Sequence, residues 1–233
     1  MIVAMMIIRY LASMIIGYLL GSIPWGLILA KRMAGVDVRE WGSGKVGATN
    51  VLRSAGRRVA IISGLLDFAK GSAAVYIAKL IIGHNYIAVG RFGFGPLLGA
   101  VLAGLAAVAG HNWSFFLKFR GGSGVATFFG GLAMLLWFVA LFGGEVFVLG
   151  ATTTLFVSLG SIAGVVGTYA ILIPLTIFNG LPLDYLLYAF VGTAMIIYTH
   201  RGNIVRLFKG IERRLGERAE KVHVHTDEQN KKP

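Results

Sequence analysis

The sequence predicts an all-α, polytopic membrane protein of about seven transmembrane helices, and three observations predict it. Of 233 residues, 56% are hydrophobic and the mean hydropathy is +0.75, well above an ordinary soluble domain. Apolar stretches approaching the about 20 residues needed to cross a bilayer recur along the chain. Basic residues gather in alternate connections between those stretches, as cytoplasmic loops require. Only 14% of residues are charged, yet the formal net charge is +12. On so apolar a chain this excess reads as loop charge at a membrane and not as a nucleic-acid surface. The absence of cysteine excludes disulfides, thiolate metal sites and a cysteine nucleophile.

The first span is expected at about 4–29, ending in Lys31-Arg32. Arg9 and the apolar run that follows resemble a signal peptide, but Gly21-Ser22-Ile23-Pro24 offers no A-x-A cleavage site and further apolar segments follow. The second span, about 59–82, carries Asp67, Lys70 and Lys79; the third covers about 94–110. The fourth, about 125–142, and fifth, about 145–157, are separated only by Gly143-Gly144-Glu145. The sixth covers about 159–179 and the seventh about 183–199. Residues 1–216 form one membrane domain, and 217–233 read as a polar cytoplasmic tail. His223 and His225 lie in that tail without the further ligands that a metal site needs.

Seven spans put the termini on opposite sides. Lys31, Arg32, Arg39, Lys45, Arg53, Arg57 and Arg58 share the first connection, Lys118 and Arg120 a second, and nine more cations follow from Arg201. The other side holds Arg9 and Arg91. The N-terminus is therefore expected outside and the C-terminus in the cytoplasm. Every polar motif then faces one side, as a single site would. Small residues repeat every four positions at Gly95, Gly99, Ala103 and Ala107, and again at Gly160, Gly164 and Thr168. Such stripes allow close helix packing and imply no chemistry.

The stretch Gly42-Ser43-Gly44-Lys45-Val46-Gly47-Ala48-Thr49-Asn50-Val51-Leu52-Arg53 organises the polar side. Glycines let backbone N–H groups turn inward around an anion, and Arg53 adds a planar fork of donors suited to phosphate. A dinucleotide loop would need a preceding strand, which is not legible. A Walker loop would need glycine at 39 and a hydroxyl at 46, where the chain has Arg39 and Val46. A plain flexible connector is the remaining alternative. Gly121-Gly122-Ser123-Gly124, shortly after Gly110-His111-Asn112, precedes an apolar helix whose positive end suits phosphate; Ser123 as a simple helix cap is the alternative. Asp67 and Lys70 share a helix face, as an ion pair or as catalytic groups. His200, Asn203 and Arg206 recur every three residues, and Glu212 sits among Lys209, Arg213 and Arg214 as an expected structural ion-pair partner.

These residues resemble the acyl-phosphate:glycerol-3-phosphate acyltransferases (PlsY type), bacterial membrane enzymes of phospholipid synthesis. The resemblance runs from Gly21-Ser22-Ile23-Pro24 to about Gly216. It takes in both glycine loops, Asp67-Phe68-Ala69-Lys70-Gly71, Gly110-His111, Gly124-Val125-Ala126-Thr127, Val157-Ser158-Leu159 with Ser161, and His200-Arg201 with Asn203-Ile204. It implies acyl transfer from acyl phosphate to the 1-hydroxyl of glycerol 3-phosphate at the cytoplasmic face of the bacterial inner membrane, without a cofactor. It implies catalytic roles for Ser43, Arg53, His200 and Asn203. Lys45, Thr49, Asn50, Gly121, Gly122, Ser123, Gly124 and Ser161 would bind substrate or phosphate, and Asp67, Lys70 and Glu212 would be structural. The chain departs from the family pattern at Lys45, usually Asn, at Ser123, usually Lys, and at Leu155, usually Arg. A paralogue with altered activity, or a transporter of a phosphorylated solute, are the competing readings. Against transport, the polar groups gather at one face and not at the midplane.

Overall fold

The computed structural model describes residues 2–89 and 92–221. The described residues form ten α-helices and one small hairpin. They are α1 (Ile2–Ser22), α2 (Trp25–Ala34), α3 (Ala48–Ala55), α4 (Arg57–Ile82), α5 (Pro96–Asn112), α6 (Val125–Leu135), α7 (Trp137–Thr154), α8 (Val157–Gly167), α9 (Tyr169–Asn179) and α10 (Leu183–Phe208). Strands β1 (Ile87–Val89) and β2 (Phe92–Phe94) pair antiparallel, Ile87 opposite Phe94, in the connection from α4 to α5. Among the described residues, four segments are long and apolar enough to cross a membrane: Val3–Ala34, Pro96–Leu117, Trp137–Thr154 and Val157–Asn179.

Several boundaries differ from the sequence reading, each for a local reason. The first predicted span is two helices, broken at Ile23-Pro24, because Pro24 has no N–H to continue α1 and instead opens α2. The sixth is α8 and α9, joined tightly at Thr168, with Pro174 removing a further donor. The seventh extends through Phe208, so His200, Asn203 and Arg206 lie on helix. The fourth and fifth spans are divided at Leu136, not at Gly143-Gly144-Glu145, which lies inside α7. Gly143 is a packing residue, where a Cβ would strike Thr168 and the Gly164 carbonyl of α8, whereas Gly144 faces open space. The predicted tail begins too early. Ala219 is buried and donates its N–H to the Arg53 carbonyl (3.1 Å), and Gly42 donates to the Glu220 carbonyl (2.9 Å). The rest of that tail, with His223 and His225, lies outside the described residues, as does Arg91.

Both small-residue stripes serve close packing. Gly17 and Gly21 of α1 lie against the backbones of Ala103 and Ala107 of α5, and Gly110 of α5 lies on the Tyr18 carbonyl. Gly160 and Gly164 of α8 face Phe147 and Ala151 of α7. Without a hydrophobic drive between helices in lipid, such backbone approach supplies the dispersion contacts that hold them. The core centres on Phe128 of α6 stacked on Tyr188 of α10, centroids 5.1 Å apart, with the Tyr188 hydroxyl donating to the Phe128 carbonyl (2.9 Å). Large apolar side chains such as Leu80, Phe178 and Phe190 point outward, as lipid-facing residues do.

Candidate active site

The first glycine loop is shaped by one buried side chain. The Asn50 amide nitrogen has the carbonyls of Val38 (2.8 Å), Trp41 (3.0 Å) and Lys45 (2.9 Å) within reach, while its oxygen accepts from the Ser43 N–H (3.1 Å). Gly42 and Gly44 adopt positive φ, which a residue with a Cβ resists. Asn50 thus holds the loop from behind, and its amide is occupied by that work. Ser43, Lys45, Thr49 and Arg53 line a cavity of about 1110 Å³.

The second loop lies on the C-terminal end of α5. Gly121 donates to the Asn112 carbonyl (3.1 Å) and Gly122 to the His111 carbonyl (2.9 Å). Gly124, with φ of +79°, caps α6 and turns the chain into its apolar run. Ser123 and Gly124 line the same cavity as the first loop, and Gly121 and Gly122 complete the turn behind them. The loops also approach each other at Thr199 of α10: Lys45 Nζ donates to its carbonyl, and its hydroxyl, whose nearer acceptor is the Ile196 carbonyl (2.9 Å), lies 3.3 Å from the Ser123 carbonyl.

Two turns of α10 supply His200 and Asn203 to the cavity wall. His200 Nδ1 donates to the Ile196 carbonyl (2.8 Å). A carbonyl only accepts, so the neutral ring carries its proton on Nδ1 and its lone pair on Nε2. Ser161 lines the cavity from α8, its hydroxyl bonded to the Val157 carbonyl (2.8 Å). Glu212 is clamped by Ser158 Oγ (2.9 Å), Asn203 Nδ2 (2.6 Å) and Arg206 Nε (2.7 Å). Its ion-pair partner is thus Arg206, not the neighbouring Lys209, Arg213 or Arg214 that sequence proximity suggested. Arg53 donates to the carbonyls of Arg213 (3.1 Å) and Arg214 (3.3 Å), so the segment after α10 is strapped across the cavity mouth.

Asp67 and Lys70 form the expected pair at 2.8 Å, both buried, with the ammonium off the line of a strong hydrogen bond. Asp67 also lies 3.5 Å from His111 Nδ1. His111, Ser158, Arg206 and Arg213 line the cavity but were not in the site set read from sequence. The run Gly110-His111-Asn112 was a usable signal for the first; nothing local marks Arg213, which the strap brings in.

The cavity is charged at one end and apolar at the other. Lys45, Arg53, Arg206 and Arg213 surround the mouth, and Glu212 offsets one of them. Burial pushes the Lys45 ammonium below its ordinary range, reinforced by Arg201 and Arg206. Burial lowers Arg53 likewise, with Arg213 adding to it. Both shifts report first the burial of a cation and then the like charge beside it. Away from the mouth the walls are Leu65 and Phe68 of α4, Phe129 of α6, and Leu141 and Val148 of α7.

A family model described as glycerol-3-phosphate acyltransferase matches residues 11–210. The chain belongs to the glycerol-3-phosphate acyltransferase family. "Glycerol-3-phosphate acyltransferase 3" of Dehalococcoides mccartyi (strain CBDB1) is 52% identical over 215 residues, 92% of this chain and 100% of the relative. The glycerol-3-phosphate acyltransferase of Clostridioides difficile (strain 630) is 40% identical over 216 residues, 93% and 100% respectively. A crystal structure of PlsY, an integral membrane glycerol 3-phosphate acyltransferase in its glycerol 3-phosphate form, superposes with a TM-score of 0.76 at 37% identity, covering 89% of this chain and 96% of that one. The lysophosphatidic acid form gives 0.74 at 36%, covering 89% and 95%. The matched range includes both glycine loops and the helices that carry them.

Proposed function

We propose that the protein transfers an acyl group from acyl phosphate to the 1-hydroxyl of glycerol 3-phosphate, giving 1-acylglycerol 3-phosphate and phosphate. The single observation that carries this reading is the division of the cavity: a mouth of four cations and two glycine loops opens onto an apolar trough between α4, α6 and α7. A polar phosphate acceptor and a lipid donor need those two environments joined. Arg53, Lys45 and the loop Gly121–Gly124 bind phosphate groups; Thr49, Ser161 and Ser43 orient the acceptor; Asn50 fixes the first loop.

Acyl phosphate is already activated, so positioning and charge stabilisation can carry the rate. The acceptor oxygen attacks the acyl carbon, the bond from that carbon to the phosphate oxygen breaks, and phosphate leaves with the electron pair. The hydroxyl proton passes to the lone pair of His200 Nε2 or to the departing phosphate. Asn203, held by Glu212, aligns the substrates beside His200.

The spans in this reading are α1, α4, α5, α6, α7, the α8–α9 pair and α10, with the N-terminus outside. The site then faces the cytoplasm at the bacterial inner membrane, following the distribution of Lys and Arg. The test is an assay of purified protein with acyl phosphate and glycerol 3-phosphate, with acyl-CoA as comparison donor. Product from acyl phosphate is expected. Product from acyl-CoA alone, or none from either, overturns the reading.

A further inference from the structure

We propose that His111 is a positioning residue for the second glycine loop, and that Asp67 and Lys70 orient it in turn. The inference rests on the functional reading above for the identity of the phosphate ligand. The loop Gly121–Gly124 lies directly on His111 and its neighbour. A Cβ on Gly121 would strike the His111 carbonyl, one on Gly122 would overlap His111 Nε2, and one on Gly124 would strike the Asn112 amide oxygen. These three glycines are therefore seated on α5, and the imidazole is the floor beneath Gly122. The Gly122 N–H bond to the His111 carbonyl fixes the height of the loop (2.9 Å).

The opposite edge of the ring faces Asp67, with Nδ1 3.5 Å from Oδ1. His111, Asp67 and Lys70 are each at most 5% exposed, so none has bulk water as an alternative partner. Lys70 reaches past Asp67 to the Ile23 carbonyl (3.0 Å), in the break between α1 and α2. That break aims α2, whose Gly26 packs on the Val46 carbonyl in the first glycine loop. A continuous chain of contacts thus runs from the half-buried Ile23 carbonyl through the buried Lys70, Asp67 and His111 to Gly122, spanning the supports of both loops. A buried polar network of this kind is costly when partly satisfied and rigid when assembled. Loops that bind phosphate through backbone N–H groups need that rigidity, because a misplacement of about 1 Å is worth up to a hundredfold in rate.

The test uses full-length purified protein, with inorganic phosphate as the binding probe, in three variants: His111→Ala, His111→Gln and Asp67→Asn. His111→Ala is expected to raise the phosphate inhibition constant and the KM of a phosphate substrate roughly tenfold, with a smaller fall in kcat at saturation. His111→Gln, which keeps a planar donor, is expected to recover part of the loss. Parental KM and phosphate inhibition in His111→Ala overturn the proposal, as does a fall in kcat alone, which marks a loss of folded protein. If His111→Ala does not accumulate, Asp67→Asn decides: it keeps the ring and removes its orienting charge, and parental constants there overturn the proposal. If the unmutated protein transfers no acyl group, the functional reading has failed separately, and calorimetric phosphate affinity of the same variants still judges the role of His111.

Discussion

By the resemblance noted from sequence, Lys45 and Ser123 would depart from the family pattern in opposite senses, one gaining a lysine and one lacking it, and both lie against Thr199. A lysine ammonium on a flexible stem can serve one anion from either loop. Lys45→Asn is therefore expected to weaken phosphate binding by roughly 1.5–3 kcal/mol, the value of a charged hydrogen bond. Lys45→Asn combined with Ser123→Lys is expected to restore acyl transfer, measured on equal amounts of membrane protein; a double variant no better than Lys45→Asn refutes the exchange. Arg53 makes a second residue-scale prediction. One guanidinium nitrogen, Nη2, makes both bonds to the strap and leaves the rest of the planar fork to the cavity it lines, so Arg53→Lys keeps at most the strap contact and loses the second arm. Activity should fall at least tenfold with unchanged protein level, and an active Arg53→Lys enzyme with parental acceptor KM would remove Arg53 from the site. Sequence alone made the two loops and the cations beside them legible because glycine spacing and charge are local signals. It did not show that Asn50 holds the first loop or that Arg206 is the partner of Glu212, since which carbonyl or carboxylate a side chain reaches depends on the fold.

Glycine carried two meanings at the scale of the helix, and sequence separated them poorly. Gly143 and Gly144 read as a break between spans, yet they lie inside α7, while the true division at Leu136 sits in Met134-Leu135-Leu136-Trp137 with no glycine or proline to announce it. The stripes on α5 and α8 were legible because their spacing of four is helical and lipid-embedded packing favours it. The two meanings can be tested side by side. Gly21→Ala places a methyl on the Ala107 backbone and should destabilise by about 3 kcal/mol or prevent accumulation. Gly144→Ala meets no atom within 4 Å and should be neutral or stabilising by about 0.5–1 kcal/mol. Thermal unfolding in detergent measures both, and equal effects would mean that the α1–α5 contact is looser than described.

Charge asymmetry fixes the expected orientation of the whole molecule, and the cysteine-free sequence makes it easy to check. A cysteine introduced at Ser54 should label only from the cytoplasmic side and one at Asn85 only from outside; labelling of both from one side would refute seven spans. The membrane class and the gathering of polar motifs at one end were legible because hydropathy and charge are summed over many residues. The path of the chain after α10 was not, because a short polar run looks the same whether it dangles or docks. It docks, and this sets an order of assembly. Both glycine loops and the histidine of α10 are synthesised before Glu212, the carboxylate that locks Asn203 and Arg206, and before the strap that engages Arg53. A nascent chain already threaded through the membrane thus holds its phosphate loops but lacks its clamp. Acyl transfer is expected to switch on only as residues 212–220 emerge from the ribosome, a timing that chains released at successive lengths would reveal.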